Sequence, residues 1–175
     1  VIVIEHQADI IAEADYVITD CAAMASLYRE ASSFGRSGPL TVLHLVEWLH
    51  EMRESLQVTT LVPVAGLRLH DSCFVTRQLD LGEQTREVLA LLVDGELAEF
   101  ATNGKDAPCC GGPGHYHVVA PEASERCAAD RIAQLELEGG DAIVCASATC
   151  KKAFRRAGGD GTIDLLEIAC RAAGV

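Results

Sequence analysis

Short β-branched runs alternating with amphipathic helices predict an α/β fold, built from two pseudo-repeated βα layers with short, largely parallel sheets. The second observation behind that reading is internal self-similarity. DYVITDCAAMASLYREA from Asp15 aligns without gaps on DAIVCASATCKKAFRRA from Asp141, and VLHLVEWL from Val42 matches TIDLLEIA from Thr162, with Glu47 opposite Glu167. Each copy reads as an apolar strand, a corner of small residues and a helix carrying basic side chains.

The elements follow from periodicity. Residues 1–14 read as a helix, 16–20 as a buried strand and 22–32 as a helix ending near Gly35. Leu43, Val46, Leu49 and Met52 recur at helical spacing, which predicts an amphipathic helix over 43–54. The stretch 58–70 contains a strand that Pro63 and Gly66 interrupt and that ends at His70. A helix over 83–93, a strand over 96–100 and a long helix over 121–138 follow, the last stopped by Gly139 and Gly140. A strand at 142–146 and helices at 150–157 and 163–173 complete the chain.

The repeat divides the chain unevenly. Residues 58–175 read as a complete second unit, and 1–57 as the later half of a first unit that is incomplete at its N-terminus. The chain opens on Val1 rather than Met, and VIVIEHQADIIAEAD is too acidic for a secretory signal. The expectation is a processed start or a piece of a longer polypeptide.

Composition narrows the function classes. With 175 residues, 49% of them hydrophobic, the chain can fill a sizeable core, and with aromatics at 5% that core must be largely aliphatic. A net charge of −12 argues against nucleic acid and anionic membrane as partners, because both need Lys and Arg to neutralise phosphates. No apolar run approaches the roughly 20 residues of a membrane helix, so no direct membrane span is expected. Docking on a membrane-bound subunit stays open.

Eight cysteines stand out. A chain of this length does not need disulfide staples, and the adjacent Cys109-Cys110 could pair only through a strained ring. Reduced thiols in a cytoplasmic protein, some of them bound to metal, are the simpler expectation. In LRLHDSCFVTR, Asp71 and Ser72 are natural N-cap residues that would put Cys73 in the first turn of a helix, where a thiolate is favoured. Cys150 in ASATCKKAF is placed alike, with Thr149 as its cap and Lys151 and Lys152 adding positive charge. Pro108 and the Gly111-Gly112-Pro113-Gly114 run flank the Cys109-Cys110 pair, and glycine lets backbone N–H groups approach sulfur closely. These sulfurs should meet at the carboxyl ends of strands, where open α/β sheets hold their ligands.

HDSC, then CCGGPG, then ATCKKAFRRAG followed by DLLEIA, resembles the cysteine-rich CCG domain. That domain occurs in heterodisulfide reductase and in the iron–sulfur subunits of glycolate and lactate oxidases. The resemblance implies an iron–sulfur electron-transfer subunit or domain of a heterodisulfide-reductase-like oxidoreductase complex. Its partners would be other redox subunits carrying iron–sulfur or flavin centres. The family pattern is a Cys, a distant Cys-Cys-Gly and a later Cys-x-x-Cys, usually in two tandem copies. This chain departs from it in each copy: Ser147 precedes Cys150, and Cys21 is followed by Met24 where the second cysteine is expected. The family's paired non-cubane cluster takes five cysteines. Cys73, Cys109, Cys110 and Cys150 make four, the number a [4Fe-4S] cubane takes.

Cys145 lies two residues before Ser147 and faces the same way, which makes it the candidate extra ligand. Cys21 is either a buried small residue or a ligand of a second site completed by residues further upstream. His70 could hydrogen-bond the cluster loop or simply cap a strand end; Ser147, Gly111 and Gly112 are expected beside it, around the cluster but not bound to metal. Cys127 and Cys170 read as core. His115 and His117 read as surface residues that could reach a metal or a substrate. Arg77 and the basic run Lys151, Lys152, Arg155 and Arg156 could offset cluster charge, dock an acidic partner or form a solvated face. No Gly-x-Gly-x-x-Gly or Walker loop appears. Two other functions remain in view: a structural zinc module, since four thiolates also suit tetrahedral Zn, and a disulfide reductase that uses Cys145.

Overall fold

The computed structural model describes residues 16–31 and 41–175. The helix expected over 1–14, and the end of the 22–32 helix with Gly35, lie outside the described residues.

Strand β1 (Tyr16–Thr19) leads into helix α1 (Ala22–Ala31), and β2 (Thr41–His44) leads into α2 (Leu45–Glu51). The two strands pair in parallel, with Thr19 opposite His44. The second copy repeats this plan: β7 (Ala142–Cys145), α6 (Ala148–Arg156), β8 (Ile163–Asp164) and α7 (Leu165–Ala173). There Cys145 lies opposite Asp164. Thr19 and Cys145 are aligned positions, as are His44 and Asp164, so the two copies share even their register.

They share their capping chemistry too. In α2 the His44 ring accepts from the backbone of Val46 while Glu47 accepts from the backbone of His44; in α7 Asp164 accepts from the backbone of Glu167 while Glu167 accepts from that of Asp164. Each N3 carboxylate is met by a cation from the preceding helix of its own copy. Arg29 of α1 binds Glu47, and Lys151 of α6 reaches Glu167 at 2.7 Å and Asp164 at 3.0 Å.

Between the copies lie β3 (Val62–Pro63), β4 (Leu67–His70), α3 (Gly82–Leu92), β5 (Val93–Asp94), β6 (Ala98–Glu99), the short α4 (Tyr116–Val119) and α5 (Pro121–Leu137). β3 and β5 form a small parallel pair, and the main sheet has four parallel strands in the order β6-β4-β7-β8. The mixed α/β architecture with short parallel sheets is therefore the one expected from sequence.

The main sheet is covered on both faces, as parallel sheets require. In β7 all four residues are buried, and period-two alternation sends Ala142 and Val144 into one apolar cluster and Ile143 and Cys145 into another. The first cluster holds Val46 of α2, Val88 of α3 and Ile168 of α7; the second holds Ala128 of α5 and Phe154 of α6.

Some boundaries differ from the sequence reading. The helix expected over 43–54 begins as strand and turns helical only at Leu45, because the His44–Glu47 capping box sets its start. The closing helix likewise begins as β8. The 58–70 strand is two strands, since Gly66 turns the chain at φ +76° between them. Strand β1 is not buried: Tyr16 is 52% and Ile18 38% exposed. Cys127 and Cys170 are half-exposed rather than core, lying on the flanks of α5 and α7 beside the buried Ala128 and Ala172.

Asp164→Ala removes both the cap of α7 and one of the two acceptors of Lys151. It is expected to lower stability by about 1–2 kcal/mol, read as a lower urea midpoint at unchanged slope.

Candidate metal centre

The chain leaves β4 toward β6 on one side and β7 toward β8 on the other. Connections that diverge between neighbouring parallel strands open a crevice at their carboxyl ends. His70 and Cys145 end the two strands there, opposite each other in register.

Three segments bring sulfur to this crevice. Cys73 follows β4 by three residues, at the start of a single π-helical turn over Phe74–Gln78. Cys109 and Cys110 sit on the loop after β6, and Cys150 lies in the first turn of α6. The Cys73 and Cys109 sulfurs are 3.6 Å apart, and the Cys110 thiol donates to the Cys150 sulfur at 3.0 Å. A ring nitrogen of His70 lies within 4.8 Å of the Cys110 and Cys150 sulfurs, which lie within that distance of each other. All eight cysteines are free thiols.

The sulfurs form a chain in which thiol and thiolate character alternates. Hydrogen bonds from the Cys110 and Cys73 thiols hold Cys109 well below the ordinary thiol range. A hydrogen bond from Cys110 likewise holds Cys150 down despite its burial, helped by the nearby His70 imidazole. The hydrogen bond to Cys109 pushes both Cys73 and Cys110 up, and burial adds to it. This donor set suits a metal group. Four sulfurs converge with no disulfide among them, and only a bound cation would let all four carry negative charge together.

The setting has two sides. Cys110 and Cys150 are fully buried against Phe154, Phe100 and Ile143, whereas Cys73 and Cys109 are half-buried. His70 is 1% exposed and meets Phe154 edge-on, with ring centroids 4.8 Å apart. Neither of its ring nitrogens makes a hydrogen bond of ordinary geometry, and the Cys150 sulfur is a close polar neighbour.

The glycines act as expected on sulfur and also on packing. The Gly111 N–H donates to the Cys109 sulfur at 3.4 Å. Gly111 has φ +74°, and a Cβ there would stand 2.5 Å from the Ser124 carbonyl of α5; at Gly112 it would stand 2.7 Å from the Thr149 carbonyl of α6. The Cys109–Cys110 loop is thus pressed onto two helix backbones where only glycine fits.

Asp71 and Ser72 do not cap the turn after β4. Asp71 is gripped instead by both terminal nitrogens of Arg86 at 2.9 Å and by the Gly104 N–H at 2.7 Å. Burial pushes its carboxyl up, but the Arg86 fork and Gly104 outweigh that and hold it below the ordinary range. Ser72 places its hydroxyl 3.4 Å from the Cys150 sulfur. At α6 the first helical residue is Ala148, so Ser147 rather than Thr149 stands at the N-cap, and its side chain makes no capping bond.

Cys145 is completely buried, with its sulfur 3.5 Å from the Ser147 carbonyl and 3.8 Å from that of Ile163. Burial, with Cys150 nearby, keeps it protonated. Cys21 opens α1 in the other copy, its backbone N–H bound to Thr19. Lys151 is committed to Asp164 and Glu167, and Arg77 to the carbonyls of Lys105 and Ala107. Lys152 and Arg156 flank a cavity of about 180 Å³ whose wall includes Gly112, Thr149 and His117. His115 is exposed and stacks on His117.

Of the arginines that hold this loop, sequence reasoning singled out Arg77, for a different role, and missed Arg86 and Arg131. Besides Arg86 and Arg77, the buried Arg131 lies 3.6 Å over the Phe100 ring and donates to the Thr102 carbonyl. Burial lowers its pKa to about 10. No local pattern announces such residues, because the loop partners they hold are distant along the chain.

Fold and site together define a parallel α/β domain that gathers thiols at the split of its sheet. Residues 67–155 match the family model described as the CCG cysteine-rich domain, a span that runs from the first residue of β4 into α6 and contains all four converging cysteines. The chain belongs to that family. It is also similar to Lactate utilization protein A of Shouchella clausii (strain KSM-K16), 26% identical over 155 residues that cover 83% of this chain. The aligned part spans 64% of that relative's length.

Gly111→Ala is expected to cost about 2 kcal/mol, because the new methyl meets backbone rather than a movable side chain. Displacing the Cys109–Cys110 loop should also lower the bound metal measured after anaerobic loading.

Proposed function

We propose that this chain is the iron–sulfur portion of an oxidoreductase that works in the use of lactate or a similar hydroxy acid. Cys73, Cys109, Cys110 and Cys150 hold one [4Fe-4S] cluster in this reading. The observation that carries it is the convergence of four unpaired thiols, from three segments, on one sheet edge. The family and the name of the similar protein support the redox class and the substrate type.

A bound cluster supplies one-electron transfer; the protein sets its potential and access. The Gly111 N–H donates to the Cys109 sulfur, and Ser72 stands beside that of Cys150, which favours the more negative, reduced state. Phe154 and Phe100 keep water from the inner side, and half-buried Cys73 and Cys109 leave the other side open to a donor or acceptor. That neighbour is a further iron–sulfur or flavin subunit of a cytoplasmic complex, which can itself sit on a membrane-bound partner. Among the described residues no helix is long and apolar enough to cross a membrane.

Structural zinc is the second reading, and one distance favours it. The 3.6 Å between Cys73 and Cys109 is close to the edge of a ZnS₄ tetrahedron, about 3.8 Å for Zn–S bonds of about 2.3 Å.

Anaerobic purification decides between them. Iron and sulfide in equal amounts, with a broad brown absorption that dithionite bleaches, are expected; a colourless protein with one zinc overturns the cluster. Cys110→Ser and Cys150→Ser should each lose that absorption, while Cys127→Ser and Cys170→Ser should keep it.

The docking face is proposed at the exposed Lys152 and Arg156, beside the cysteine loop of an otherwise acidic chain. Reduction of the loaded protein by a small acidic flavoprotein should slow as salt rises. It should slow at low salt too in Lys152→Glu. Rates indifferent to both salt and substitution would exclude this face.

A further inference from the structure

Among the described residues, His70 is a deeply buried polar side chain at the crevice that hydrogen bonds of ordinary geometry do not account for. Its neighbours are all engaged: Asp71 with Arg86 and Gly104, Ser72 with Cys150, and Cys145 with two carbonyls. The imidazole is 1% exposed, and neither nitrogen makes a hydrogen bond of ordinary geometry; its close polar neighbours are the Cys110 and Cys150 sulfurs. A neutral imidazole carries one donor and one acceptor, and burying both without partners is a standing cost that folded proteins ordinarily avoid. Phe154 packs edge-on against the ring and fixes its plane. A nitrogen held in this way lies within 4.8 Å of the Cys110 and Cys150 sulfurs, the distance at which several donors can share one bound group.

The position also answers a deficit in the chain. Ser147 stands where the family pattern has a cysteine, and its own hydroxyl donates to no sulfur among the described residues. The strand pairing sets His70 opposite Cys145, two residues before Ser147, so the imidazole enters the same crevice from the neighbouring strand.

We infer that His70 binds the metal group directly through a ring nitrogen, forming with Cys110 and Cys150 the buried half of a mixed Cys/His ligand set. Cys73 and Cys109 form its open half. This rests on the metal-binding reading above but adds a neutral nitrogen to the four sulfurs, giving five protein donors where a cubane takes four. A neutral fifth ligand adds no negative charge to the centre, so the reduction potential lies higher than it would with a fifth thiolate.

The test is pulsed electron paramagnetic resonance on the anaerobically loaded, reduced full chain, prepared once with natural histidine and once with nitrogen-15 histidine. A strong, directly bonded nitrogen coupling that changes with the isotope is expected. It should be lost in His70→Ala and retained in His117→Ala. The isotope arm leaves folding untouched, so it reads the bond even where His70→Ala is unstable. If zinc is the metal, X-ray absorption takes the place of resonance and should show one nitrogen among the sulfur neighbours. A bound centre with only weak nitrogen coupling, or with sulfur neighbours alone, overturns the His70 bond and leaves the metal site standing. Protein that takes up neither iron nor zinc overturns both.

Discussion

Like charges resist being brought together, and the crevice between β4 and β7 gathers four sulfurs against that resistance. The strands that frame it are only four residues long, so their hydrogen bonds offer little lateral support to the loops beyond them. Support comes instead from arginines. Arg86 clamps Asp71, which itself accepts from the Gly104 N–H, Arg77 holds the carbonyls of Lys105 and Ala107, and Arg131 fastens Thr102. All three act on the segment leading into Cys109 and Cys110. The ligand loop is therefore anchored by polar ties from three different elements, and its glycines let it lie directly on α5 and α6.

Much of this was legible in the residues themselves. The alternation of strand and helix, the gapless match between the copies and the four cysteines all carry local signals, because periodicity and spacing are properties of short windows. Register was not read from the sequence, though the structure pairs the aligned positions Thr19 and Cys145 with the aligned positions His44 and Asp164. Boundaries were less legible. Capping boxes at His44 and Asp164 convert apparent helix starts into strand ends, and a pattern of apolar spacing does not distinguish the two. Asp71 looked like a helix cap because its neighbours in sequence suggest one; its actual partner, Arg86, lies across the fold.

The two copies solve one problem by different residues. A carboxylate at the third position of the closing helix, Glu47 or Glu167, needs a cation. Arg29 supplies it in one copy, and Lys151, one helical turn earlier in the alignment, supplies it in the other. The geometry of the unit survives that exchange because positions four apart share a helix face. The basic run of α6 is thus divided: Lys151 serves the fold, and Lys152 and Arg156 face the cavity beside the cysteine loop.

The uneven burial of the sulfurs gives the centre a direction of decay. Dissolved oxidants reach Cys73 and Cys109 first, while Cys110 and Cys150 stay sealed behind Phe154. Damage in air would begin at the rim and strip the outer pair before it touched the inner one. A weathered sample would keep its innermost thiols long after the outer pair had gone.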